Sequence, residues 1–138
     1  MSKILAIDYG SKRVGVAITD SLKMIASGLS TVSTNEVYSF LDNIISKENI
    51  SHIVVGLPKN LDNSNTDITY DVNVFINKLN QLYTSIVIDS IDERFTSSMA
   101  KKTILNSGVN KKRRGNKALV DQVSATIILQ SYLQKLNS

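Results

Sequence analysis

Three places in the 138-residue sequence put a carboxylate next to an apolar run, where an α/β protein can use it. Asp8 closes the run Lys3–Tyr9 (KILAIDY), Asp92-Glu93-Arg94 follows a run ending at Ile91, and Asp121 heads a long helical pattern. Carboxylates bind hard divalent cations through oxygen. Two such cations about 3.5–4 Å apart stabilise the attacking and leaving oxygens of an in-line phosphodiester displacement. Water is then the nucleophile, and no protein nucleophile is needed. The composition agrees: the chain has no cysteine, which removes thiol catalysis, thiolate-bound zinc and disulfides together. His52 is the single histidine, so a metal here must sit on oxygen ligands, which favours Mg²⁺ or Mn²⁺.

Each acid has a bland alternative. Along the first strand Ile4, Ala6 and Asp8 share one face and Leu5, Ile7 and Tyr9 the other. Both faces are apolar, so the strand is expected to be central, and an ionised group at its end needs a partner. Alternatively, Asp8 only starts the turn into Gly10. The Asp92-Glu93-Arg94 triplet lies at a strand's carboxyl end, where function clusters in α/β sheets. It also reads as a solvated Glu–Arg pair, or as a cap for the next helix, with Asp92 or Thr96 in that role. Asp121 shares a helical stripe with Ala125, Ile128, Tyr132 and Leu136, so its carboxylate aims where the apolar side chains aim. A first-turn aspartate serving the helix dipole explains its position along the helix but not its face.

Charge is distributed unevenly. Met1 to Arg94 holds eight basic and eleven acidic residues, a net of −3, whereas Phe95 to Ser138 holds eight basic residues and one acid, a net of +7. Much of that excess is the loop Lys111-Lys112-Arg113-Arg114 with Lys117, a few residues before Asp121. Positive charge beside an acidic cleft is what a phosphate backbone requires on either side of a scissile bond. Lys12 and Arg13 beside Asp8, Lys59 after Pro58, and Arg94 extend the candidate nucleic-acid surface. A solvated basic surface is the plainer reading.

The elements that must position these residues follow from periodicity. Strands are expected at Lys3–Tyr9, Val14–Thr19, Met24–Val32, Ser51–Leu57 and Ser85–Ile91. Helices are expected over Glu36–Lys47, capped by Thr34 or Asn35, about Thr66–Leu82, Phe95–Ser107 and Ala118–Leu136. Three strands joined without helices imply an antiparallel set, and each later strand follows a helix and adds in parallel. The expectation is an α/β fold: a mixed five-stranded sheet flanked by helices, in one domain over residues 1–138. Hydrophobic content of 42% with a single proline supports a globular chain. The N-terminal apolar run is too short for a signal peptide and no run approaches the roughly 20 residues of a membrane span, so the cytoplasm and no membrane partner are expected.

Four blocks are similar to the signature blocks of the YqgF family: ILAIDYGSKRVGVAITD (Ile4–Asp20), IVVGLPKNLDNS (Ile53–Ser64), DERFTSSMA (Asp92–Ala100) and VDQVSATIILQSYL (Val120–Leu133). They span nearly the whole chain in the right order. One departure is Asn63, where the family pattern usually has glycine; asparagine tolerates positive φ better than most residues. The resemblance implies a ribonuclease H-like fold related to RuvC resolvases, with an acidic triad carried over onto Asp8, Glu93 and Asp121 as catalytic and metal-holding residues. It selects Glu93 over Asp92, which strand alternation alone leaves open. It further implies a nuclease maturing the 5′ end of pre-16S rRNA in the bacterial cytoplasm.

Other readings remain at this level. A Holliday junction resolvase on branched DNA would favour a dimer, because two symmetric strands must be cut. The basic loop alone does not separate RNA from DNA, so RNA is favoured through the resemblance and the chain is expected to be a monomer or weak homodimer. Asp8-Tyr9-Gly10 also resembles the first phosphate motif of actin-like ATPases, which need a second domain that 138 residues do not supply. A non-catalytic RNA-binding assembly factor would carry the same charges without cutting.

Overall fold

Alternation in the first strand sends apolar side chains to both faces, so this strand belongs in the middle of a sheet. The structure is a computed structural model that describes residues 2–57, 67–92 and 117–136. It places β1 (Lys3–Tyr9) at the centre of a five-stranded sheet of order β3-β2-β1-β4-β5. On one side β1 pairs antiparallel with β2 (Arg13–Thr19), which pairs antiparallel with β3 (Ala26–Ser33). On the other it pairs parallel with β4 (Ile50–Leu57), which pairs parallel with β5 (Val87–Asp92). The mixed sheet expected from the element order is therefore the one observed.

The two faces are packed differently. Helices α1 (Val37–Lys47) and α2 (Asp67–Leu82) cover a face of large side chains. There Leu5, Ile7, Val16 and Ile53 meet Leu41, Phe75 and Leu79, and the Tyr9 ring stacks on Phe75 at 4.5 Å between centroids. Helix α3 (Lys117–Leu136) lies on the opposite face. That face presents Ile4 and Val54 but also Ala6 and Ala17, with Gly15 and Gly28 in line with them. Small residues let the helix backbone settle close to the strands, and Ala125, Ile128, Leu129 and Tyr132 then fill the space on either side. Burying each large apolar side chain contributes about 1.5–3 kcal/mol, so these contacts fix the helix position. No helix among the described residues is long and apolar enough to cross a membrane.

Several expectations are corrected. The third strand starts at Ala26 and not at Met24, because Asp20 accepts hydrogen bonds from the N–H groups of Met24 and Ile25, both at 2.9 Å, and holds them in a turn. Lys23 in this turn takes φ of 58°. Neither Thr34 nor Asn35 caps α1. Thr34–Glu36 form a 3-10 turn, and Glu36 precedes α1 without a side-chain cap. The apolar stripe on α3 stops short of its end, since Leu136 is exposed. The helix expected over 95–107 lies outside the described residues.

The close contact at Gly15 gives a direct test. A Cβ there would stand 2.1 Å from the Asp121 carbonyl oxygen, a backbone atom, whereas at Gly28 its nearest neighbour is the movable Gln122 Oε1 at 3.3 Å. Gly15→Ala is expected to destabilise the protein by about 1–3 kcal/mol, and Gly28→Ala by less than about 1 kcal/mol. Urea unfolding of the two variants measures the difference, and equal losses would contradict this packing.

Candidate active site

The carboxyl end of β1 brings the first acid to the α3 face. Asp8 follows Ile4 and Ala6 on that face and stands opposite Gly15 in the β1–β2 register. Because Gly15 has no side chain, the backbone of Asp121 rests directly above it. Two acids separated by more than a hundred positions are thus brought together over one glycine. Asp121 is the fifth residue of α3, and the first turn carries no acid, so a helix-dipole role does not account for it. Its side chain is 20% exposed and turned toward the sheet.

The partner of Asp121 is Arg13. Arg13 Nε donates to Asp121 Oδ2 at 2.8 Å, in a partly buried ion pair. Arg13 opens β2 on the face shared by Gly15 and Ala17, two residues and about 7 Å from Gly15 along the strand. Lys12, next to it, is exposed. The loop holding both is short and pinned. A Cβ on Gly10 would meet the Arg13 carbonyl oxygen at 2.6 Å, so only glycine fits that turn without a shift. Thr34 secures the loop from below: its hydroxyl donates to the Gly10 carbonyl at 2.7 Å, and its N–H donates to the Lys12 carbonyl at 3.1 Å. This is the use of Thr34 that its sequence position, just before a helix, disguised as a cap.

Of the Asp92-Glu93-Arg94 triplet, β5 carries Asp92 alone within the described residues. Asp89 and Ile91 lie on the α3 face, and period-two alternation turns Asp92, the last described residue of the strand, to the opposite face. Asp89 ties β5 to the helix, accepting a hydrogen bond from the Tyr132 hydroxyl at 3.0 Å. Burial, then the hydrogen bond to Asp89 and its charge, push the Tyr132 phenol up to about 12. His52 stands opposite Ile4, toward the other end of β1 from Asp8, so it is not part of this site. Burial and nearby Lys23 hold its imidazole below the usual value, against the opposing pull of Asp89.

Of the residues expected at the site, the structure brings together Asp8, Asp121 and Arg13 and places Lys12 beside them. Glu93, Arg94, Lys59, Lys111, Lys112, Arg113 and Arg114 lie outside the described residues, as does the side chain of Lys117, whose backbone begins α3. Among the described residues no group of three potential ligands forms a metal site. The two carboxylates present nonetheless fit a hard divalent cation: both are oxygen donors on one face, and a guanidinium already occupies a cation position at Asp121 Oδ2. Gly15, Thr34 and the Tyr132–Asp89 bond are positioning features that the sequence reading missed. An isolated glycine within a strand pattern was the available signal for the first, since it marks a close backbone approach.

A family model described as RuvX, Holliday junction resolvase, matches residues 2–135. A protein of Bacteroides thetaiotaomicron named "Putative pre-16S rRNA nuclease" is 46% identical over 134 residues, covering 97% of each chain. A Porphyromonas gingivalis protein of the same name is 50% identical over 133 residues, covering 96% of each. Among solved structures, fowlpox virus resolvase with Holliday junction DNA superposes with a TM-score of 0.59 at 13% identity, over 99% of both chains. Thermus thermophilus RuvC with a Holliday junction substrate gives 0.59 at 12% identity, over 99% of this chain and 96% of that one. Identities this low establish the fold alone, and that fold is ribonuclease H-like.

The Tyr132–Asp89 bond carries its own prediction. Tyr132→Phe removes the donor to a partly buried carboxylate and is expected to cost about 1–2 kcal/mol. The folded phenol is raised above its ordinary 10, so this contribution is complete below pH 10 and is lost as pH rises through about 12. Urea unfolding at pH 8 and pH 11.5 checks both points. An unchanged difference between wild type and variant at the two pH values would contradict the assignment.

Proposed function

The chain belongs to the RuvX/YqgF family, and on that premise we propose that it is a nuclease hydrolysing phosphodiester bonds with a divalent metal. The observation that carries this reading is the convergence of Asp8 and Asp121 over Gly15, on the face where the basic residue Arg13 also lies. Glu93 completes the ligand set. The family resemblance selects it over Asp92, whose place in β5 turns it away from α3.

Asp8, Glu93 and Asp121 would hold Mg²⁺ or Mn²⁺, which would supply charge neutralisation at the phosphate and make water a better nucleophile. The protein's own groups bind and orient the substrate. Lys12 and Arg13 approach the phosphate backbone from the β1–β2 loop. Lys59, Arg94, Lys111, Lys112, Arg113, Arg114 and Lys117 provide cations for the flanking phosphates. Such contacts release counterions, so affinity falls steeply with added salt. The rigid strand and helix that carry the two acids hold them in place before substrate arrives, which is how an electrostatic site lowers a barrier without reorganising.

The names of the 46–50% identical relatives favour pre-16S rRNA as substrate, and the family resemblance points to its 5′ end. On this reading the protein acts in ribosome maturation in the bacterial cytoplasm, as a monomer or weak homodimer. The description of the family model favours branched DNA as the second reading.

A labelled pre-16S leader RNA and a four-way DNA junction, each with Mn²⁺ or with EDTA, separate the two. We expect Mn²⁺-dependent cleavage of the RNA, reduced at least about 100-fold by Asp8→Asn and by Asp121→Asn, since even residues that only support metal ligands cost 10–100-fold. Cutting of the junction alone selects the second reading. Binding without cutting, equal in all three proteins, overturns the nuclease.

A further inference from the structure

Arg13 does not point at open solvent as a free phosphate ligand would. Its Nε is bonded to Asp121 Oδ2 at 2.8 Å, and its side chain is 41% exposed against 20% for the acid. A carboxylate largely withdrawn from water needs a cation beside it. A guanidinium keeps its charge at any working pH, so it can vacate the site only by moving, never by losing a proton. The surrounding frame allows that movement for the side chain alone. Thr34 bonds to the carbonyls of Gly10 and Lys12, and Arg13 itself opens a paired strand, so the backbone beneath the guanidinium is fixed.

We propose that Arg13 is an exchangeable internal counter-ion: it neutralises Asp121 in the metal-free protein, yields that carboxylate to the divalent cation, and then turns to a substrate phosphate. The inference rests on the reading of Asp121 as a metal ligand. Two positive groups beside one carboxylate repel each other, so the cation binds more tightly when Arg13 withdraws from Asp121 Oδ2. The displaced guanidinium is left without its partner, at the mouth of the site, with a planar fork suited to a phosphate. Metal binding and phosphate binding therefore support one another, and by linkage each raises affinity for the other by the same factor. Arg13 in this account is a positioning residue before it is a substrate contact.

The test is metal binding without nucleic acid, read from the free Mn²⁺ electron paramagnetic resonance signal for wild type, Arg13→Gln and Asp121→Asn. Removing the competitor is expected to tighten Mn²⁺ binding about two- to fivefold, the range open to a partly exposed ion pair. Asp121→Asn is expected to weaken it. If Asp121→Asn weakens binding but Arg13→Gln leaves it unchanged or weaker, the exchange is wrong and the metal site stands. If Asp121→Asn binds Mn²⁺ as wild type does, the metal-ligand reading fails, and the exchange with it. A measurement on the unaltered protein covers the case in which Arg13→Gln does not fold. The Arg13 Nε–H resonance is expected to shift and to exchange faster with solvent when Mg²⁺ is added. A resonance unmoved at saturating Mg²⁺ overturns the exchange.

Discussion

Where α3 crosses β2, the carbonyl of Asp121 comes so close to Gly15 that a single added carbon would stand 2.1 Å from it. This backbone-on-backbone contact sets the height of the helix above the sheet and the level along the helix at which it touches. Ala6 and Ala17 continue the shallow seat, and Ile128, Leu129 and Tyr132 pack around it. Because Asp8 stands opposite Gly15 across the β1–β2 pair, the same contact fixes the distance between two acids contributed by opposite ends of the chain. A larger residue at position 15 would separate them while leaving both in the sequence.

The electrostatics follow from that closeness. Two carboxylates on one face, one of them mostly withdrawn from water, cannot stand without positive charge nearby. Arg13 answers that need at Asp121, from a loop whose shape is held by Gly10 and Thr34. The same charge logic underlies the proposed binding of a divalent cation and of a phosphate chain. On the far side of the sheet the packing has a different purpose. Large residues under α1 and α2, including the Tyr9–Phe75 stack, make a thick core that holds β1 rigid from behind. The Tyr132–Asp89 bond ties α3 to β5 at the edge of the sheet.

Much of this is local information, and local information was legible. Alternation in Lys3–Tyr9 identified a strand buried on both faces, and the sheet places it at the centre. The stripe from Asp121 through Ala125, Ile128 and Tyr132 told which way the acid faces, and those three neighbours are buried. What escaped were relations between distant segments: which glycine seats which helix, which hydroxyl pins which loop, which tyrosine holds which strand. Thr34 shows why. A threonine before a helix has two uses for its hydroxyl, a cap and a tie to another segment, and only the fold brings Gly10 within reach. Arg13 was read as a phosphate ligand because its partner lies 108 residues away.

The central claim is that Asp8 and Asp121 share one divalent cation. A crystal soaked in Mn²⁺ and measured for anomalous scattering tests it most directly. An anomalous peak bound by carboxylate oxygens of both residues is expected, with the Arg13 guanidinium withdrawn from Asp121. Manganese bound elsewhere, or none at millimolar concentration with the Arg13–Asp121 pair intact, would contradict it.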